Sequence, residues 1–204
     1  MSNKLTLVLL AAVIVVAAGC SSDPTSPSTS RVNVFLTDAP IDLSTVNAVN
    51  VTLNQIILFG HDDSMLDDEG MDMDRPAVSD GAGLMLNLLD FQDGETVLIA
   101  TLDVPPGRYQ KLRMYVAAAE LVMDDPNDPG DPNDPDAPAA EITEPISVPS
   151  SKVDIPVTFS VSAGENMDVV LDFDAALSVQ VNETQGNKQY ILRPVIVPVG
   201  MTVR

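Results

Sequence analysis

Alternation of apolar and polar positions runs through most of the chain after residue 30 and predicts β-strands. The clearest run lies in residues 152–161, where one set of apolar side chains alternates with polar residues and proline. That set is Val153, Ile155, Val157, Phe159 and Val161. A period of two places such a set on one face of a strand, because successive side chains point to opposite sides of the pleat. We therefore expect these five side chains to face a core.

Shorter runs with the same period predict further strands. Their inward sets are Val32, Val34 and Leu36; Val49, Val51 and Leu53; and Met167, Val169, Leu171 and Phe173. Residues 96–104 and 108–116 form two more runs, and Pro105-Pro106-Gly107 between them is a turn signal. The last run, residues 189–199, contains prolines, which are typical of an edge strand.

Helical periodicity is nearly absent from the same part of the chain. Beyond the apolar residues 5–18, only residues 175–177 have the composition of one helical turn. Many short strands, each with one face exposed to solvent, indicate an all-β fold and specifically an antiparallel β-sandwich. Two acidic segments fall between predicted strands, and we expect them to be long loops on the rim of the sandwich.

Charge is concentrated in these two segments. The 204-residue chain has a formal net charge of -20, and 16 of its 30 acidic residues lie in residues 61–80 and 124–145, where Arg75 is the only base. Binding to nucleic acid requires Lys and Arg to neutralise phosphates. The composition therefore excludes nucleic acid as a partner and disfavours an anionic lipid surface.

The N-terminus has the pattern of an exported lipoprotein. Lys4 precedes the apolar residues 5–18, a run too short for a stable spanning helix, and small residues lead to Cys20. This resembles a bacterial lipobox, with Ala17 where Leu is usual. Cys20 is the only cysteine, and acylation gives it a role. We expect a signal peptide over residues 1–19 and a diacylglycerol and palmitate anchor at Cys20.

The segment that follows Cys20 has the composition of a tether. Residues 20–30 are rich in Ser, Thr and Pro and lack the large apolar side chains that build a core. Residues 31–204 then form one domain. Ser21 after the cysteine, instead of Asp, implies sorting to the outer membrane if the source is Gram-negative.

Several stretches together resemble the bacterial lipoprotein domain family of unknown function 4382. They are "TDAP" at 37–40, "LNLLD" at 86–90, "VPPGRYQKLRM" at 104–114, "LDFDAALSV" at 171–179 and "YILRPVI" at 190–196. The resemblance covers roughly residues 31–200 and implies a secreted or lipid-anchored all-β domain without an established activity. The "PPGRY" stretch is also similar to transthyretin-like sandwiches. We expect an immunoglobulin-like or transthyretin-like sandwich.

The residues in these matching stretches can also be given structural roles on physical grounds. Asp38 is suited to cap a turn by accepting backbone N–H bonds, and Gly107 permits a positive φ. Tyr109 is expected to pack its ring while its hydroxyl reaches the backbone. Structural roles suffice for all three.

The inventory of reactive side chains argues against an enzyme. His61 is the only histidine, no Gly-x-Ser-x-Gly motif occurs, and Trp is absent. Paired carboxylates are plentiful but unspecific in a chain with 30 acids.

Two loops contain candidate metal ligands. Oxygen-rich residues suited to calcium occur at Asp125, Asn127, Asp128, Asp131, Asp134 and Asp136. They fail the spacing of an EF-hand loop, because Pro129 occupies a ligand position, and a solvated acidic spacer is the first interpretation. A softer set suited to Cu(I) is His61 with Met65, Met71 and Met73.

The sequence thus predicts a lipid-anchored bacterial envelope protein. It acts as a non-enzymatic binding or structural module without a resident cofactor, and its ligand is a protein or a glycan. One alternative is a calcium-assisted domain that binds carbohydrate or matrix. A second alternative is a copper-handling envelope protein.

Overall fold

The protein is an all-β sandwich of two mixed sheets. A computed structural model describes residues 29–38, 46–60, 83–128, 130, 139–184 and 187–204. The strands are β1 (Ser30–Thr37), β2 (Val46–Gly60), β3 (Leu84–Asn87), β4 (Val97–Val104), β5 (Gly107–Asp124), β6 (Glu141–Ser147), β7 (Lys152–Val161), β8 (Asn166–Phe173), β9 (Val179–Thr184), β10 (Asn187–Leu192) and β11 (Ile196–Val203). A short 3-10 helix (Leu88–Phe91) follows β3, and the four-residue helix α1 (Ala175–Ser178) follows β8.

The strands divide into sheets of unequal width. The four-stranded sheet has the order β11-β8-β1-β4. The seven-stranded sheet has the order β3-β2-β5-β6-β10-β9, and β7 pairs with β5 as well. Strand β5 is 18 residues long, so β7 pairs with its first half and β6 with its last residues. The predicted edge position holds for Pro198, because β11 is the outer strand of its sheet, whereas Pro194 lies between β10 and β11. The single strand predicted over residues 189–199 is therefore divided between β10 and β11, which belong to different sheets.

The alternating apolar sets face the space between the sheets, as their period predicts. Val32, Val34 and Leu36 of β1 and Val169, Leu171 and Phe173 of β8 are completely buried in one continuous core. Ile155, Val157, Phe159 and Val161 of β7 are buried there too, and Val153 packs against the core while partly exposed. The outward residues of β7 remain exposed.

The sheets are mixed, whereas the sequence predicts antiparallel pairing. Most neighbours are antiparallel, but β1 pairs with β8 in parallel over seven residue pairs, and β6 pairs with β10 in parallel over two. The β4–β5 connection also differs from a hairpin, because the two strands belong to different sheets. Pro105 and Pro106 carry the chain from one sheet to the other.

Gly107 does not use its conformational freedom. It opens β5 opposite Val161 and does not have a positive φ, unlike Gly83, Gly94, Gly130 and Gly164 in the described part of the chain. The expectation of a positive φ at this turn was therefore wrong.

No helix within the described ranges is long and apolar enough to cross a membrane. The proposed signal peptide and nearly all of the tether lie outside those ranges. Ser30, the last residue assigned to the tether, is buried as the first residue of β1.

Candidate functional site

An open groove lies where the wider sheet extends past the narrower one. We call it the overhang groove. Its volume is about 270 Å³, and its wall consists of Val46, Leu121, Met123, Ala175, Ala176, Val179, Val181, Lys188 and Tyr190. The lining is mainly apolar, and the residues come from β2, β5, β9, β10 and α1.

The strand period explains why these side chains share one face. Tyr190 pairs with Val181 and Leu192 with Val179, while Leu192 is almost fully buried. Lys188, Tyr190 and Leu192 therefore point to the same side of β10, the side of the core. The apolar face of the core continues along β10 and β9 to positions that are open to solvent. Val181 is one of them and is 56% exposed.

Two polar groups line the groove. The Tyr190 hydroxyl donates to the Met123 Sδ atom at 3.9 Å, and a thioether is a weak acceptor. Lys188 faces Glu183 across the β9–β10 pair, since the two residues are register partners. Among the residues the structure describes, Lys188 makes no ion pair within 4.0 Å.

Helix α1 is held at one end of the groove by polar contacts. The Asp174 carboxylate caps the helix by accepting from Leu177 N at 2.8 Å. The Asp38 Oδ1 atom accepts from Ala175 N at 2.9 Å, and Ser178 Oγ accepts from Val195 N at 2.8 Å. These contacts tie the helix to the end of β1 and to the chain before β11, so the groove wall is fixed from two sides.

Asp38 is a buried carboxyl group with a shifted titration. Its residue is 2% exposed, and Gln92 Nε2 donates to its second oxygen at 3.4 Å. Burial raises the pKa of the Asp38 carboxyl above its ordinary value; the bonds from Ala175 and Gln92 oppose the shift, and the charges of Asp172 and Asp174 add to it. Asp38 accepts a backbone N–H bond, but the donor is Ala175 of α1, far away in sequence, and the local turn that Asp38 was predicted to cap continues outside the described residues.

A second groove, of about 420 Å³, has a basic rim. Pro149, Ser150, Lys152, Val153, Asp154, Leu192, Arg193 and Pro194 line it. The Asp154 carboxylate is engaged there, because Arg113 Nε and Nη2 donate to its two oxygens at 2.5 and 2.9 Å and Lys111 lies 3.7 Å away. The bond from Arg113 lowers the pKa of Asp154, against the desolvation that raises it.

The cations beside that second groove also cover an aromatic ring. Lys111 Nζ lies 3.9 Å from the centroid of Phe59, and the Arg113 guanidinium lies 5.2 Å from it. Arg113 is 5% exposed, so its charge is largely committed to Asp154 and to the ring. These contacts give Lys111 and Arg113 of β5 a structural role.

Some of the calcium candidates lie within the described residues and the others lie outside them. Asp125 Oδ1 accepts from Asn127 N at 2.8 Å and from Asn127 Nδ2 at 3.0 Å, so this carboxylate closes a local turn. Asp125 N also donates to Ala140 O, and Ala140 N to Asp128 O, which closes the base of the loop. Asp131, Asp134 and Asp136 lie outside the described residues.

The remaining candidate residues are also outside the described ranges. They are Cys20 and the copper set His61, Met65, Met71 and Met73. Within the described ranges, no three His, Cys, Asp or Glu side chains lie close enough to hold a metal ion.

Tyr109 has the role that its sequence context indicates. Its hydroxyl donates to Pro105 O at 2.7 Å, and the residue is 3% exposed. The ring lies 5.6 Å from that of Phe159, tilted by 30°. The tyrosine thus pins the crossover between the sheets to the core.

Sequence reasoning did not find the overhang groove. A signal was present, because the period of β10 places Lys188 on the same face as the apolar Leu192. An inward-facing lysine near the end of a strand marks the place where a core opens to solvent.

Fold and site together define a β-sandwich with an open apolar groove at one end. The chain belongs to the family described as "Domain of unknown function (DUF4382)", whose model matches residues 29–194. No curated protein and no solved structure matches the chain.

Proposed function

We propose that this protein is a lipid-anchored, non-enzymatic binding module of the bacterial envelope and that the overhang groove is its ligand site. The observation that carries the proposal is the groove itself, an apolar concavity of about 270 Å³ with a tyrosine hydroxyl and a lysine in its wall. Small-molecule sites have this character, mostly apolar walls with a few polar groups that orient the ligand.

The position of the groove fits an anchored receptor. The proposed tether from Cys20 joins the sandwich at Ser30, the first residue of β1. Asp38 follows the other end of β1, about 26 Å away at ~3.3 Å per residue, and holds α1 beside the groove. The groove thus lies at the end of the sandwich opposite to the lipid, which leaves it open to ligands arriving from solution.

Lipid attachment is supported by the sequence. An apolar run, small residues and a single cysteine are what a lipoprotein signal peptidase requires, and a chain with several acyl groups remains membrane-bound. The proposal includes removal of residues 1–19 and, in a Gram-negative source, sorting to the outer membrane.

Octanol binding to the soluble domain tests the ligand site, because octanol is a small uncharged amphiphile. We expect saturable binding, with NMR signals of Ala176, Val181 and Tyr190 shifting most. Ala176→Phe should block it by placing a ring in the groove. Leu177→Phe is the matched control, since Leu177 is the next residue of α1, is 62% exposed and is not part of the wall. Absence of saturable binding, or equal binding by both variants, would contradict the proposal.

A further inference from the structure

We propose that the overhang groove selects small amphipathic carboxylates, with the hydrocarbon part against its apolar wall and the carboxylate at Lys188 and Tyr190. This inference rests on the proposed function, which concerns only the presence of a ligand site. It adds the chemical class of the ligand and the residues that select it.

Tyr190 provides a hydroxyl that is poorly used in the protein. Its hydrogen-bond acceptor is the Met123 sulfur at 3.9 Å, and a carboxylate oxygen is a much stronger acceptor than a thioether. The ring is half-buried, so a ligand oxygen at the groove receives a donor whose direction is already fixed. Moving this bond from sulfur to a carboxylate favours an anionic ligand over a purely apolar one.

Lys188 provides the charge. Its side chain shares a face with Tyr190, two residues along β10, and lines the same groove. A single ammonium group matches a singly charged head, whereas phosphate recognition generally uses the fork of an arginine or several donors. Since Lys188 is the only base among the described residues of the wall, a carboxylate fits better than a phosphate.

Because the protein carries a large negative charge, only charged groups close to the groove can favour an anionic ligand. A net charge of -20 repels anions at long range, but salt screens that field over about 8 Å. Glu183, the register partner of Lys188, is the acid that competes most directly for the ammonium group. Neutralising Glu183 should therefore strengthen binding of an anion, and this gives the proposal a test with a gain of affinity.

The dimensions of the groove limit the hydrocarbon part. At about 30 Å³ per water-sized volume, the space of about 270 Å³ holds on the order of nine non-hydrogen atoms. Val46, Leu121, Val179 and Val181 provide its apolar wall. Octanoate, with an eight-carbon chain, is therefore a suitable probe.

Calorimetric titration with octanoate, octanol and octylammonium tests the charge selection. We expect octanoate to bind about tenfold more tightly than octanol, and octylammonium more weakly than either. Lys188→Met should reduce the affinity for octanoate to that for octanol, while Glu183→Gln raises the affinity for octanoate alone. Tyr190→Phe should weaken octanoate more than octanol. Lys152→Met, which removes the same charge from the second groove, is the control and should change nothing.

The outcomes separate the two proposals. Equal binding of octanoate and octanol, unchanged by Lys188→Met, overturns the carboxylate selection and leaves the ligand site standing. A similar loss of octanoate affinity in Lys152→Met and Lys188→Met also overturns it, because overall charge would then be the cause. Failure of all three probes to bind overturns both proposals.

Discussion

A single buried carboxylate, Asp38, shows how one residue links distant parts of the chain. It ends β1, accepts a bond from the first residue of α1, and receives a second bond from Gln92. Burial removes water from the ionised Asp38 carboxylate, and this desolvation costs free energy. The hydrogen bonds that the carboxylate accepts offset part of that cost. The local sequence indicates a cap, but the group to be capped lies 137 residues further along the chain.

Substitution of Asp38 separates the hydrogen bond from the charge. Asp38→Ala leaves the buried Ala175 N–H without its acceptor and should destabilise the fold by about 1–3 kcal/mol. Asp38→Asn keeps an oxygen acceptor and removes the charge, so it should be about as stable as the wild type, or more stable, at neutral pH. Urea denaturation of the three proteins measures this order. Equal losses in both variants would contradict it.

The pH dependence of this comparison follows from the raised pKa of Asp38. A carboxyl group whose folded pKa lies above its unfolded pKa costs stability when ionised, and this cost is complete above the folded pKa. The cost disappears as pH falls through the folded pKa to the unfolded one. Any advantage of Asp38→Asn should therefore shrink on acidification from pH 7 to about pH 4. An advantage that grows at acid pH would show that the sign of the pKa shift is wrong.

Tyr109 is a second residue whose role is testable in isolation. Tyr109→Phe keeps the ring against Phe159 but removes the hydroxyl that donates to Pro105 O. Pro105 O loses this hydrogen bond, so we expect a loss of about 1 kcal/mol in unfolding free energy. Denaturant melts check the value, and an unchanged midpoint would show that the hydroxyl bond contributes nothing net.

At the level of elements, β7 shows the alternation most directly. Phe159 is 8% exposed and contacts the Tyr109 ring, whereas its neighbour Thr158 is exposed on the opposite face. Phe159→Ala should cost about 3–5 kcal/mol. Thr158→Ala should cost well under about 1 kcal/mol. Similar losses for the two in thermal or chemical unfolding would mean that both faces of β7 are buried.

The sequence pattern predicted the faces of strands better than their partners. Alternation is a local property, so the inward sets of β1, β7 and β8 could be read from about ten residues each. Pairing is not local. Nothing near Val34 shows that β1 lies parallel to β8, more than 120 residues later, or that Pro105 and Pro106 carry the chain between sheets.

The same distinction explains why the groove was not found from the sequence. Its wall combines residues of β2, β5, β9, β10 and α1, which lie far apart in the sequence, so the groove depends on how the strands pair. The residues Lys188 and Tyr190 are visible in the sequence, but their exposure is a consequence of the whole architecture. Tyr109 was found because its role depends on a turn with a local signature, whereas nothing near Asp38 in the sequence indicates that its donor is Ala175.

The edge strand β11 carries exposed apolar side chains and also has features that hinder pairing with a further strand. Val197, Val199, Met201 and Val203 are 37–56% exposed, which is unusual for a strand with a free side. Pro198 lacks an N–H group, and the register shifts between Pro198 and Gly200. A proline and an irregular register both hinder the addition of another strand.

For the whole molecule, the proposed lipid anchor at Cys20 is the first property to test. If the proposed lipid attachment is correct, Cys20→Ala should move the protein from the membrane fraction to the soluble fraction, or leave it unprocessed, because the Cys20 sulfur would be the atom that receives the lipid. Fractionation with immunoblotting, together with the mass of the mature form, measures this. A Cys20→Ala protein that is processed and still membrane-bound would contradict lipid attachment.

The acidic segment between β5 and β6 affects the charge of the whole molecule. Deleting residues 129–137 joins Asp128 to Pro138, so that Asp128, Pro138, Ala139 and Ala140 become consecutive. The bond from Ala140 N to Asp128 O at 3.1 Å then has the spacing of a β-turn, with Asp and Pro at their preferred positions. Shorter loops cost less closure entropy, which varies as about (3/2)RT ln n, and three carboxylates are removed. We expect thermal melting at an unchanged or slightly higher temperature.

The effect of calcium on the melting temperature shows whether that segment is a spacer or a calcium-binding loop. The deletion removes Asp131, Asp134 and Asp136, half of the candidate ligands, while Asp125 already accepts two bonds from Asn127. If calcium organised the segment, the intact protein would gain RT ln(1 + [L]/Kd) in stability and the shortened protein would not. Because the prolines favour extended conformations that keep the carboxylates apart, we expect the same melting temperature for the intact protein in millimolar calcium and in chelator. A rise of several degrees in the intact protein alone would make calcium binding the better explanation for this run of aspartates.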